Sequence, residues 1–159
     1  EEEYASYSSK KRPAIPIIKE IIKNFRNEEI VVMARYTSQV RYLEQTFGKK
    51  IRVLNEVVDS KILLENTRIF VGSGGTMTAE SALLGIPTIS YNAIPNIIET
   101  YLVRKKLVIR ETNPKRVAAS IRNILESSNL ETKKRSKKIW GSMEDPYPIL
   151  VKTMKSVLK

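Results

Sequence analysis

The sequence contains neither cysteine nor histidine. The absence of cysteine excludes disulfide bonds and thiol chemistry, which fits a reducing cytosol. The absence of histidine means that no imidazole is available as a general base, a general acid or a metal ligand. Any catalysis must therefore use carboxylates, hydroxyls, lysine, arginine or backbone dipoles, and we expect neither a metal site nor a cofactor.

Long hydrophobic runs are also absent. No run of about 18 uncharged apolar residues occurs, so the sequence predicts no transmembrane segment. The N-terminal stretch EEEYASYSSKKRP is acidic and polar and lacks the apolar core of a signal peptide. We therefore expect a cytoplasmic protein.

Acidic residues are few beside the basic ones. The 17 Asp and Glu and the 28 Lys and Arg give the chain a net charge of +11. This charge favours anionic partners such as nucleotides, nucleic acid or an acidic membrane surface to which the protein binds peripherally. The densest basic clusters, at 104–106 and 133–138, are interpreted first as solvated helix faces. Aromatic residues make up 7% of the chain and are not interleaved with these clusters, which disfavours nucleic acid.

Short apolar runs alternate with segments of helical periodicity along the chain. This alternation predicts an α/β fold, with a Rossmann-like parallel sheet of about five strands flanked by helices. The strands are predicted at 29–35, 50–54, 67–72, 87–91 and 107–110. Residues 1–12 are interpreted as a tail or interdomain segment, 13–145 as the domain and 146–159 as a C-terminal helix. Helix caps are predicted at Thr37 or Ser38, at Asp59 and at Asn113.

Glycine is scarce, yet three of the six glycines fall within four consecutive positions of the stretch VGSGGT. They are Gly72, Gly74 and Gly75. A tight turn needs one or two glycines, so the third indicates that something outside the protein comes close to the backbone. A helix beginning near Thr76 would present unbonded N–H groups at its positive end, with hydroxyls from Ser73 and Thr76 beside them. Such a turn suits a pyrophosphate, although a tight strand-to-helix connection without a ligand explains it as well.

Glu80 follows one helical turn later, among small residues that leave room for a ligand. Its carboxylate there is placed to accept hydrogen bonds from both hydroxyls of a ribose whose phosphates lie at the helix start. The alternative is an ordinary acidic residue favoured near a helix N-terminus. The turn is not a P-loop, because Thr76 and Met77 stand where that motif requires Lys followed by Ser or Thr.

The segment GSGGTMTAESALLGIPTIS resembles the donor-site motif of the GT-B glycosyltransferases and the related UDP-N-acetylglucosamine 2-epimerases. It resembles most an uncharacterised family of GT-B-like proteins from archaea and bacteria. The likeness is tight over residues 67–91 and looser over 13–127. It implies that the chain is the C-terminal, nucleotide-sugar-binding half of a protein with two Rossmann-like halves.

The resemblance implies a role for particular residues. The ligand would be a nucleotide-diphosphate sugar, a substrate for which UDP is favoured by family frequency. The implied contacts are Ser73, Gly74, Gly75 and Thr76 to the diphosphate, Glu80 to the ribose, Arg35 with Gln39 one turn later to a phosphate, 54–57 to the base, and Asn92 and Asn96 to the sugar.

The resemblance also implies what the chain lacks. The general acid or base would come from the missing N-terminal half, so this chain should bind the donor without turning it over, and its catalytic residues stay unassigned. A first strand would end just upstream of residue 1 unless residues 4–9 supply it. The C-terminal helix at 146–159 would cross back to the other half, and in the isolated domain its apolar stripe should fold back or form a homodimer.

Three other functions stay open. An epimerase-like enzyme would need carboxylates beside the sugar, for which Glu80 and Glu99 are candidates. The adjacent glutamates and the Arg-Pro-Glu element of the 2-epimerases are missing, which disfavours that activity. A basic nucleic-acid-binding module would use the net charge, and a pure interaction module would leave the glycine turn without a ligand.

Overall fold

The structure is a computed structural model that describes residues 14–56, 58–91, 94 and 96–157. Its helices are α1 (Ala14–Asn24), α2 (Thr37–Phe47), α3 (Ser60–Glu65), α4 (Thr76–Leu83), α5 (Ile97–Arg104), α6 (Pro114–Glu126), α7 (Leu130–Gly141) and α8 (Pro146–Val157). Its strands are β1 (Val31–Met33), β2 (Arg52–Leu54), β3 (Phe70–Gly72), β4 (Thr88–Ser90) and β5 (Val108–Arg110).

All strand pairs among the described residues are parallel, which confirms the predicted α/β class. Each of the five predicted strands is present, but each is only three residues long. They form a two-stranded sheet, β1-β2, and a three-stranded sheet, β3-β4-β5, where the sequence suggested a single sheet. The division arises because no ladder joins β1 to β3 within the described residues.

Helices cover both faces of the three-stranded sheet. Thr88 of β4 lies beside Val108 of β5, so Val108 and Ile89 point to opposite faces of the sheet. Val108 packs in a buried cluster with residues of α4, α5 and α7. Ile89 packs with Ile17 of α1 and Val117 of α6 on the other face. The doubly covered sheet is the arrangement in which ligands bind beyond the carboxyl ends of the strands.

Two of the three predicted helix caps are present in the structure. Asp59 accepts hydrogen bonds from the N–H groups of Lys61 and Ile62, and Asn113 caps α6 ahead of Pro114, so both predictions are confirmed. The prediction of Thr37 or Ser38 as the cap of α2 is wrong.

At the start of α2 the N-cap residue is Tyr36. The Gln39 side-chain oxygen accepts the N–H of Arg35 at 3.1 Å and that of Tyr36 at 3.3 Å. Gln39 therefore occupies the fourth position of a capping box that begins at Tyr36, so helix α2 is capped one residue earlier than predicted.

Helix α8 exposes its apolar side chains. Five of them have more than half of their surface accessible to solvent: Tyr147, Ile149, Leu150, Met154 and Val157. The described part of α8 therefore does not fold back on the domain, and the homodimer stays a prediction. The basic clusters of α5 and α7 are mostly exposed, as solvated helix faces should be. No described helix is long and apolar enough to cross a membrane.

Candidate functional site

The loops that follow β3, β4 and β5 are held side by side at the carboxyl edge of the larger sheet. The N–H of Tyr91 donates to the carbonyl of Gly72 at 2.9 Å, and the N–H of Glu111 donates to the carbonyl of Ser90 at 2.9 Å. The parallel hydrogen-bonding pattern therefore continues past the last strand residues. This edge contains the predicted glycine turn.

Two of the three glycines in the turn are required by the fold itself. A Cβ on Gly72 would lie 2.5 Å from the Phe70 ring and 2.6 Å from the Thr78 hydroxyl oxygen. Gly74 has φ of 82°, a left-handed conformation that side chains strain. Gly75 is exposed, with φ of −82° and ψ of −164°, which any residue can adopt. Its backbone conformation therefore does not explain why position 75 is glycine.

Thr78 holds the turn from below. Its side chain is buried, and its hydroxyl oxygen accepts the N–H of Gly74 at 3.1 Å. This bond fixes the left-handed glycine over the first turn of α4. This role of Thr78 was not predicted from the sequence, although a hydroxyl four residues after a glycine in a strand-to-helix turn is a signal that indicates it.

Hydrogen-bond donors remain available at the start of α4. Within the described residues the N–H groups of Gly75, Thr76 and Met77 make no hydrogen bond, whereas the N–H of Thr78 donates to the carbonyl of Gly75 at 3.0 Å. The hydroxyls of Ser73 and Thr76 also have no partner in the described part of the chain. Backbone amides at the positive end of a helix, with hydroxyls beside them, suit an anion with several oxygens.

Glu80 lies four residues after Thr76, so the two side chains share one face of α4. The Glu80 side chain is half-buried and makes no hydrogen bond or ion pair with the residues that the structure describes. A ligand that extends from the helix start along this face would meet a carboxylate whose acceptor sites are open.

Asn96 ties the glycine turn to the next helix. Its side-chain amide nitrogen donates to the carbonyl of Gly74 at 2.8 Å, and its side-chain oxygen accepts the N–H of Glu99 at 2.8 Å. Both ends of the amide therefore contact protein and position the turn. The predicted contact of Asn96 with the sugar stays a prediction, and Asn92 lies outside the described residues.

The residues predicted around the phosphate and the base lie on the smaller sheet. Arg35 follows β1, and its exposed guanidinium lies 6.0 Å from the centre of the Tyr36 ring. Leu54 ends β2 and accepts the N–H of Ala34 at 3.1 Å. Val57 lies outside the described residues. Contacts of Arg35, Gln39 and 54–57 with a ligand stay predictions.

A buried carboxylate lies at the same edge of the larger sheet. Glu99 in the first turn of α5 is only 1% exposed, and the Nε of Arg110 lies 3.8 Å from its Oε1. Arg110 is the last residue of β5, so the pair places a guanidinium next to the loops described above. Glu99 was a candidate from the sequence, whereas Arg110 was not, although its position at the carboxyl end of a predicted strand was an available signal.

A concave surface also lies at the opposite edge of the sheet. It encloses about 300 Å³ and is lined by residues that include Arg68, Pro87 and Lys133. Arg68 is already paired with Glu28 at 3.1 Å. The amino ends of parallel strands are not where open α/β sheets bind ligands, so we assign no site to this edge.

The fold and this edge define an α/β protein that presents a helix N-terminus beyond the carboxyl ends of parallel strands. Residues 1–159 match the family described as "Protein of unknown function (DUF354)", and the chain belongs to this family.

The chain is also 32% identical over 114 residues to a protein of Methanocaldococcus jannaschii called "Uncharacterized protein MJ0665". The match covers 71% of this chain and 33% of that protein, so the chain spans about a third of its relative's length. No solved structure matches the chain.

Proposed function

We propose that the carboxyl edge of β3-β4-β5 binds the diphosphate of a nucleotide sugar, and that the chain is the donor-binding part of a GT-B-type glycosyltransferase. The observation that carries the proposal is the start of α4. There Gly75, exposed and without a conformational requirement, supplies one of three consecutive N–H groups that have no partner among the described residues. One turn further on lies the half-buried carboxylate of Glu80, which has no partner in the same part of the chain. The resemblance of residues 67–91 to donor sites supports the same assignment.

Each group has a distinct chemical task. The N–H groups of Gly75, Thr76 and Met77, with the neighbouring hydroxyls, bind the diphosphate oxygens. Glu80 accepts hydrogen bonds from the ribose hydroxyls, so it distinguishes a nucleoside diphosphate from free pyrophosphate. When the bond to the sugar breaks, negative charge develops on the diphosphate, and the positive helix end stabilises it.

The reaction itself needs more than this chain. The acceptor site and the general base or acid are assigned to the remainder of a longer protein, because the chain spans about a third of its relative. UDP is the proposed nucleotide. The chain alone should therefore bind a donor and its nucleoside diphosphate without releasing sugar.

Thermal-shift and calorimetric titration test the proposal with UDP, GDP, dTDP, CMP and their sugar conjugates. A ligand at 100 times its Kd should add about 2.7 kcal/mol to the free energy of unfolding. Gly75→Ala should lower the affinity for that ligand, because the added methyl group would contact the diphosphate. The matched control is Gly141→Ala, a helical glycine whose added Cβ meets nothing within 4 Å. Absence of binding by every nucleotide, or equal binding by both variants, would overturn the proposal.

A further inference from the structure

The outer face of α5 is apolar where a surface helix usually presents polar residues. Ile97 and Ile98 are 84% and 59% exposed, and Tyr101, one turn later, is exposed as well. The inner face is apolar too, because Leu102 is buried in the cluster that α5 shares with α4 and α7. A helix on a soluble domain buries one apolar stripe and turns its polar side to water. The packing of the described domain therefore does not explain the exposed isoleucines.

The exposed stripe of α5 ends in cations. Arg104 follows Ile97 by seven residues, and Lys105 follows Tyr101 by four, so all of these side chains lie on one side of the helix. The Nζ of Lys105 lies 5.5 Å from the centre of the Tyr101 ring. Apolar side chains and cations therefore share one surface, which we call the α5 face: Ile97, Ile98, Tyr101, Arg104 and Lys105.

Helix α7 adds positive charge beside the α5 face. The Nη1 of Arg135 donates to the carbonyl of Lys106 at 3.0 Å, which holds this side of α7 against the end of α5. Lys138 lies three residues later on the same side of α7 and is exposed. The segments 97–106 and 130–141 contain eight basic residues, three in the first and five in the second, and two acidic residues, one of which is buried. The surface around the apolar stripe is therefore strongly positive.

We propose that the α5 face binds the surface of an anionic lipid membrane, with its isoleucines among the acyl chains and its cations at the headgroups. Apolar side chains gain free energy by leaving water, and each lysine or arginine near an anionic lipid surface adds attraction. Tyrosine suits the boundary between the two, because its ring is apolar and its hydroxyl is polar. The cations disfavour a protein partner: lysine is depleted in protein interfaces, and a two-fold contact between two α5 faces would bring like charges together.

The α5 face begins beside the candidate site. Asn96, which caps α5 immediately before Ile97, donates to the carbonyl of Gly74. Binding through α5 would therefore hold the glycine turn close to the lipid surface. The inference itself rests on α5 and α7 and does not depend on which ligand the turn binds.

Sedimentation of the whole chain with lipid vesicles tests the proposal. The affinity for vesicles of equal parts phosphatidylcholine and phosphatidylglycerol should exceed that for pure phosphatidylcholine by at least about tenfold. The double variant Ile97→Ser with Ile98→Ser should lose at least about tenfold of the affinity for the mixed vesicles. Its unfolding temperature should change little, because both side chains are exposed.

The matched control is Ile149→Ser with Leu150→Ser, an adjacent and exposed apolar pair on α8. This variant should bind the mixed vesicles as the unmodified protein does. Absence of vesicle binding by the unmodified protein would overturn the proposal, and so would a loss in the α8 variant as large as that in the α5 variant.

The cations are tested by a second pair of variants. Arg104→Gln with Lys105→Gln should lower the affinity for mixed vesicles by about tenfold or more. Lys49→Gln with Lys50→Gln removes the same charge from an exposed pair after α2 and should lower it less. Equal losses would show that the net charge alone drives binding, and the α5 face would not be the site.

Position can be read directly, because the sequence has no cysteine to compete for a label. A polarity-sensitive dye on Ile97→Cys should shift its emission to the blue when mixed vesicles are added, whereas the same dye on Ile149→Cys should not. Unshifted emission at position 97 would overturn the proposal. A blue shift at position 97 that grows with protein concentration in the absence of vesicles would do the same, because it would identify a second copy of the chain as the partner.

Discussion

The side-chain amide of Asn96 donates a 2.8 Å hydrogen bond to the carbonyl of Gly74, which precedes it by 22 residues. The same side chain caps α5 by accepting the N–H of Glu99. One asparagine therefore connects the loop after β3 with the helix that follows β4. This connection holds the backbone of the glycine turn, and with it the direction of the N–H groups of Gly75 and Thr76, which have no partner in the part of the chain that the structure describes.

Asn96→Ser should separate the two contacts of that side chain. Serine still caps α5, so stability should change little, whereas it cannot reach the Gly74 carbonyl and nucleotide affinity should fall. Asn113→Ala, which removes the cap of α6, should lower the free energy of unfolding by about 1 kcal/mol without changing affinity. Unfolding curves and calorimetric titration measure both quantities. Unchanged affinity in Asn96→Ser would show that the Gly74 contact does not position the site.

Alanine at the two adjacent glycines should have different effects on stability. Gly74 has φ of 82°, so Gly74→Ala should cost about 1–2 kcal/mol of unfolding free energy. Gly75 has φ of −82°, so Gly75→Ala should be neutral or stabilise the protein by about 0.4–1 kcal/mol. Urea unfolding measures the difference. Equal costs at the two positions would contradict the turn geometry.

Thr78→Val should destabilise the turn from inside. Valine keeps the shape of threonine but leaves the buried N–H of Gly74 without its acceptor, at a cost of about 1–3 kcal/mol. Thr78→Ser keeps the hydroxyl and serves as the matched control. The Gly74 amide should exchange faster in Thr78→Val than in Thr78→Ser, and equal exchange would argue that the hydroxyl does not hold it.

Salt dependence separates a nucleotide site from a nucleic-acid surface. The net charge of +11 would give a nucleic-acid binder a steep loss of affinity with salt, with a logarithmic slope of about −0.9 for each phosphate contacted. A site built from the N–H groups of α4 contacts one diphosphate and should show a shallow slope. If single-stranded RNA binds more tightly than any nucleotide, and its affinity falls steeply with salt, the protein is a nucleic-acid-binding module instead.

The fold could be predicted from the sequence where local chemistry decides it. Asp59 and Asn113 cap their helices because a short polar side chain reaches the next backbone N–H groups from that position. Thr37 and Ser38 have the same chemistry, yet the side chain of Gln39 reaches back to Tyr36 first. That bond places the N-cap at Tyr36, one residue before the first hydroxyl, and the spacing of polar residues alone did not indicate it.

The candidate site was predictable only in part. Clustered glycines and the following Glu80 marked the start of α4, because these features are contiguous in the chain. The bond from Asn96 to Gly74 and the approach of Arg110 to Glu99 depend on how separate loops meet at the sheet edge. Strand register decides those contacts, and strands of only three residues carry too short a hydrophobic pattern to specify it.

Glu80→Gln tests the donor-site assignment most directly. The side chain has no partner within the described residues, so the exchange should leave stability nearly unchanged, as should Glu126→Gln on the exposed surface of α6. Calorimetric titration with UDP should show at least about a tenfold loss of affinity, because a hydrogen bond to a charged group contributes roughly 1.5–3 kcal/mol. Pyrophosphate, which has no ribose, should bind Glu80→Gln as it binds the unmodified protein. If Glu80→Gln binds UDP as tightly as the unmodified protein, Glu80 is a charge near a helix start, and the proposed donor site is wrong.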